Sequence, residues 1–243
     1  MSTLVKLNHE NLTNALVEIK YKAKMPFSLL LGKFSTALEK DYTYTNTLPP
    51  VKTKEGVINK THVLSVNAHF FYNDKIKIEF KENAILFSCL EDYVYWDVYE
   101  SLIKDVLNKL FEVKMFEHFE RVGVRYINEY IDPDMSKNMN IDLKVNIADC
   151  TISNTIFRTE FKSGDFIVVL SLSIDVPTII YKPEKSNVVQ TRIDIDVIRL
   201  HIKIDNLSEL FMIINDAHTK EKDIFVSLLK TDFLKSKGAI FKD

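Results

Sequence analysis

Glycine is scarce in this chain of 243 residues. There are five, Gly32, Gly56, Gly123, Gly164 and Gly238, and no two lie within twenty positions of each other. The phosphate-cradling P-loop, the dinucleotide GxGxxG turn and the GxSxG nucleophile elbow all need clustered glycines, so none of these can be built here. Cysteine is nearly as rare: Cys89 and Cys150 stand far apart with no Cys-x-x-Cys partner, which reads as two buried thiols in a reducing cytosol. The six histidines, His9, His62, His69, His118, His201 and His218, show neither an HExxH nor a paired zinc spacing. No apolar run approaches the roughly 18 residues of a membrane helix, and the start has no signal-peptide core. Net charge is −2 with a pI near 6.3, so no global basic surplus points to nucleic acid. No catalytic residue, metal or cofactor is called for by any motif.

Arginine is the last scarcity and the most informative. Lysine supplies most of the positive charge. The five arginines, Arg121, Arg125, Arg158, Arg192 and Arg199, all fall in one window of under 80 residues. Where lysine is the default base, the planar guanidinium fork marks places where a carboxylate is to be gripped in two-point fashion.

What is present is an ordinary globular composition, 46% hydrophobic and 27% charged. ALVEIKYKA (15–23) alternates as a strand. Pro26 opens a helical pattern with Leu30, Phe34 and Leu38. Residues 42–60 are polar and turn-rich and read as a long loop. Residues 61–90 read as a meander of three strands turning at Asn73-Asp74 and Lys81-Glu82-Asn83. The spacing predicts an amphipathic helix over 93–113, with Trp96, Tyr99, Ile103, Val106, Leu107 and Leu110 on one stripe. A strand over about 116–131 follows and ends at Asp132-Pro133. Later strands are expected over 141–148, 154–161, 165–175 and 190–204, with a hairpin turn at Ser163-Gly164-Asp165. Residues 207–235 read as helix, with Ser208 as N-cap and a possible break near 218–220. The expected class is α+β: two closely packed halves, 1–134 and 135–243, each a mostly antiparallel sheet with a long amphipathic helix. One continuous domain is equally consistent with the length.

Two strands carry misplaced charge. In ERVGVRYINEY (120–130), Arg121, Gly123, Arg125 and Ile127 share one face, and Val122, Val124, Tyr126 and Asn128 the other. In TRIDIDVIRL (191–200), Arg192, Asp194 and Asp196 share a face opposite Ile193, Ile195 and Val197. If these strands neighbour one another, Arg125 forks onto Asp194 or Asp196. Three readings follow: a structural ion-pair network, an anion or partner-segment site through Arg125 and Asn128, or a divalent-cation site on Asp194 and Asp196. A guanidinium beside a cation site argues against the last. The tail carries Lys220, Lys222, Lys230, Lys235 and Lys237, diluted by Glu221, Asp223 and Asp232. That is either a solvated face or a nucleic-acid backbone site.

RVGVRYIN (121–128) resembles the signature strand of a sporadically distributed family of uncharacterised bacterial and archaeal proteins. ALVEIKY, YVYWDVYESL, RIDIDV and a terminal helix are similar as well. The resemblance implies that Gly123, Arg125, Tyr126 and Asn128 matter, together with Asp194 or Asp196. It implies no activity, and the family's patchy distribution suggests mobile defence or toxin-related loci. The expectation is a cytoplasmic binding or assembly protein whose partner is another protein or a second copy of itself. Its candidate residues are Arg121, Arg125, Tyr126, Asn128, Arg192, Asp194 and Asp196. A metal-dependent hydrolase on Asp194 and Asp196, or a nucleic-acid-binding protein, is the alternative.

Overall fold

Val17, Ile19 and Tyr21 are buried, while Glu18 and Lys20 between them are half-buried, so the alternation read from the sequence is a strand with one face in the core. The structure, a computed structural model, describes residues 3–6, 11–49, 51–53, 56–58, 68–131, 135–141, 154–181 and 185–242. The strands are β1 (Thr3–Lys6), β2 (Leu12–Ala23), β3 (Thr43–Thr45), β4 (Val51–Thr53), β5 (Gly56–Ile58), β6 (His69–Tyr72), β7 (Ile76–Lys81) and β8 (Ala84–Cys89). They continue with β9 (Phe116–Tyr130), β10 (Thr155–Ser163), β11 (Phe166–Tyr181), β12 (Lys185–Ile204) and β13 (Ile240–Lys242). The helices are α1 (Phe27–Leu38), α2 (Trp96–Glu112), α3 (Leu207–Leu228) and α4 (Thr231–Ser236). The class is α+β, dominated by antiparallel strands with few helices. No helix among the described residues is long and apolar enough to cross a membrane.

The chain divides into two compact units. One comprises Asn14–Val124 and Ile198–Ala217. Its strands run in the order β9-β2-β8-β7-β6-β3, and β2-β8, β8-β7, β7-β6 and β6-β3 are antiparallel. Asn73 makes the β6–β7 turn: its Oδ1 accepts the backbone N–H groups of Lys75 and Ile76, both at 2.9 Å. Leu30, Phe34 and Leu38 form the buried stripe of α1. The Phe34 ring lies 4.7 Å from Phe80 and 5.7 Å from Phe116, which seats α1 on the sheet. Tyr99, Ile103, Val106, Leu107 and Leu110 are the buried stripe of α2, while the Trp96 indole stays half-buried and donates to Asn215 Oδ1 at 2.9 Å.

The other unit comprises Met1–Thr13, Arg125–Val197 and His218–Asp243. Its strands run β10-β11-β12-β9, with β1 and β13 as a separate antiparallel pair. One face of β9 lies against helices: the Tyr126 ring packs edge-on to His218 of α3 at 5.5 Å, and Tyr130 to Phe233 of α4 at 5.8 Å.

Several expectations need correction. The polar stretch 42–60 holds the short strands β3, β4 and β5. The C-terminal helix breaks at Leu229 and Lys230, not near 218–220. The reason is tertiary: Met139 bridges Leu229, and the Asn140 amide donates to the carbonyls of Ser227 and Leu229, claiming groups that a continuous helix would use. The N-cap of α3 is Asn206, not Ser208. Asn206 Oδ1 accepts the Glu209 backbone N–H at 2.9 Å, and the Asn206 side-chain amide donates to Glu209 Oε2 at 3.3 Å, so the cap lies two residues upstream of Ser208. Cys89 is a free, half-buried thiol, with its pKa raised by burial. Cys150, the expected strand 141–148 and the start of the strand expected from 61 lie largely outside the described residues.

Candidate functional site

The site is built on alternation in two strands. On β12, Thr191, Ile193, Ile195 and Val197 are buried, which turns Arg192, Asp194 and Asp196 to the opposite face. On β9, buried Val124, Tyr126 and Asn128 turn Arg125 the other way. Arg125 Nε donates to Asp194 Oδ1 at 2.8 Å and Nη2 to Asp194 Oδ2 at 2.7 Å. This is a full bidentate fork. Arg192 Nη2 reaches the same Oδ2 at 3.5 Å. The three exposures differ usefully: the Asp194 side chain keeps 10% of its surface, Arg125 41% and Arg192 43%. The carboxylate is thus the buried member and the two guanidinium groups cover it. The hydrogen bonds to Asp194 hold the Arg125 pKa above its ordinary value, and the charges of Asp194 and Asp196 add to the effect.

Both oxygens of Asp194 are therefore committed to Arg125. Asp194 fills the Arg125 fork, and a cation bound at Asp194 would have to compete with that guanidinium. Among the described residues no group of three or more His, Cys, Asp or Glu side chains is placed to hold a metal ion. The geometry makes Arg125→Lys a sharp test, because an ammonium replaces two directed bonds by one. The variant is expected to lose about 1–2 kcal/mol in urea denaturation, the size of one charge-assisted hydrogen bond at a partly exposed position. Wild-type stability in this variant would show that the fork contributes nothing.

Arg121 has a different partner. Its Nη1 donates to Glu18 Oε1, on β2. Its guanidinium lies back over Gly123: a Cβ built at Gly123 would meet the Arg121 Nη2 at 3.2 Å and Nη1 at 3.3 Å. The close approach that a glycine permits here is thus used by this chain's own arginine. The two arginines of β9 are answered by two separate carboxylates, from β2 and from β12.

Tyr126 and Asn128 do not join this set. They point to the helix-covered face, where Tyr126 meets His218. That face holds the residue the sequence reading missed. Glu221, one helical turn beyond His218, is 2% exposed, and its Oε1 has no hydrogen-bond partner among the described residues. Burial holds its carboxyl pKa well above the ordinary range. The signal was available. The buried stripe of α3 and its continuation is Leu210, Ile214, Ala217, Glu221, Phe225 and Leu229, so Glu221 occupies an apolar position in the helical period.

The tail lysines are spread rather than gathered. Lys230, Lys235 and Lys237 are exposed, Lys220 and Lys222 half-buried, and the Lys237 ammonium sits 5.5 Å above the Phe233 ring. Phe233 is itself 7% exposed, so that ring offers no platform to a base. No family model matches the chain, and no curated protein matches it.

Proposed function

We propose that this chain is a binding and assembly protein, working by joining another protein chain rather than by turning over a small molecule. The observation that supports this is the strand that ends the sheet, β10. Among the described residues it pairs with β11 alone. None of its nine residues is buried, and Ile156 is 77% and Phe161 38% exposed. A row of outward backbone donors and acceptors beside exposed apolar side chains is a template for strand addition. The arginine and aspartate network, its fork filled by its own chain, acts in this reading as a brace between β9 and β12. The resemblance of RVGVRYIN to a family whose patchy distribution suggests mobile loci fits the same class and adds no chemistry to it.

The competing reading, a hydrolase using Asp194 and Asp196 with a divalent cation, requires Asp194 to release Arg125 first. The purified chain, given Mg²⁺ or Mn²⁺ with nucleotide, ester and phosphodiester substrates, is expected to show no turnover above a buffer blank. Turnover that disappears in Asp194→Ala would overturn the assembly reading.

A further inference from the structure

The end strand β10 reads Thr-Ile-Phe-Arg-Thr-Glu-Phe-Lys-Ser from Thr155 to Ser163, a sequence complementary to itself when reversed. Its hydrogen-bonding phase is set by the turn. β10 and β11 are joined by Gly164, at φ +61°, and Asp165, with Ser163 opposite Phe166. In a two-residue hairpin that flanking pair is hydrogen-bonded, and such pairs recur at every second residue. The odd-numbered residues Thr155 to Ser163 therefore turn their N–H and C=O groups to β11. Ile156, Arg158, Glu160 and Lys162 turn theirs outward.

We propose that β10 pairs antiparallel with β10 of a second copy of this chain, about a twofold axis at Thr159. This names the partner of the assembly reading above and rests on it. In this register every outward residue meets an outward residue, so the ladder closes. Arg158 faces Glu160 of the partner subunit, and by symmetry Glu160 faces Arg158 of the partner subunit. On the other face Phe157 meets Phe161 of the partner subunit, again twice, and Thr159 meets its own copy. Opposite charges, aromatic pairs and facing threonines are the cross-strand combinations that stabilise antiparallel sheets.

The register is selected as well as permitted. An axis between two residues sets outward groups against inward ones and forms no ladder. Moving the axis by one residue places Arg158 against its own copy, or Glu160 against its own copy. Moving it by two leaves five of the nine residues of β10 overlapping and separates Arg158 from Glu160. Charged residues on an edge strand ordinarily discourage pairing. Here their order discourages a shift of one residue; a shift of two toward Ser163 would set Glu160 against Lys162 of the partner subunit, but it keeps only five residues of ladder, and the contact is isologous, so it closes at a dimer and does not propagate.

Sedimentation velocity across a micromolar concentration series tests this on the full chain. The wild type is expected to show a monomer–dimer equilibrium. Arg158→Glu or Glu160→Arg alone sets like charges opposite each other twice per dimer and is expected to weaken dimerisation by about tenfold or more. The double variant Arg158→Glu/Glu160→Arg restores both opposite-charge pairs and is expected to dimerise again. So is an equimolar mixture of the two single variants, which associate as heterodimers. A wild type that stays monomeric throughout, or a dimer that both single reversals leave intact, overturns the proposal. Neither result bears on turnover, so the failure of self-pairing and the failure of the assembly reading are read in separate experiments.

Discussion

Replacing Arg125 with alanine is expected to cost about 2–3 kcal/mol of folding stability, and replacing Asp194 with alanine about 1 kcal/mol. The inequality follows from which partner is buried. The Asp194 side chain keeps 10% of its surface, so removing Arg125 leaves a buried carboxylate whose remaining cationic contact among the described residues is the distant Arg192 at 3.5 Å. Arg125 is 41% exposed, so removing Asp194 leaves a guanidinium that can turn to water. The full penalty of breaking a buried pair, about 3–5 kcal/mol, is reduced here because one member is half solvated. Urea denaturation of the two single variants and of the double variant gives the coupling directly. Equal costs, or a larger loss for Asp194→Ala, would mean that Asp194 is held by something other than Arg125.

Replacing Glu221 is expected to stabilise the protein. The folded carboxyl titrates well above the ordinary range because burial disfavours its charged form. Above about pH 4.3, where the unfolded carboxyl ionises, the folded state carries one more bound proton than the unfolded state. Stability therefore falls as pH rises, until the folded group itself ionises. Glu221→Gln keeps the shape and removes the titration. Its stability is expected to match wild type near pH 4 and then to exceed it by about 1.4 kcal/mol for each further pH unit until the folded carboxyl ionises, because only the wild type must take up a proton on folding. Thermal melts from pH 4 to 8 check this, and a variant whose profile parallels wild type would show that Glu221 is compensated in the folded state.

The arginines show how far a one-dimensional reading reaches. Alternation put Arg125 on one face of β9 and Asp194 on one face of β12, and scarcity of arginine marked both as partners for forks. What alternation lacks is strand order. Arg121 and Arg125 are equivalent by local rules, yet one meets Glu18 and the other Asp194, 103 and 69 residues away. The capping of α3 failed for a smaller reason. Asn206 and Ser208 are both competent caps, and Glu209 three residues after Asn206 was the deciding signal.

Local chemistry thus determined the helix stripes, the faces of the strands, the hairpin at Gly164 and the absence of glycine-built phosphate sites. Those depend on residues within a few positions of each other, where steric and hydrogen-bonding preferences act directly. The same holds for the complementarity of β10 with itself, which is a property of nine consecutive residues. Tertiary structure alone decided that β10 pairs with β11 alone among the described residues, that Asp194 rather than Asp196 fills the Arg125 fork, and that Glu221 faces inward with its Oε1 lacking a hydrogen-bond partner among the described residues. Each of those depends on contacts between segments far apart in sequence, selected by the free energy of packing the whole chain, and no local preference encodes them.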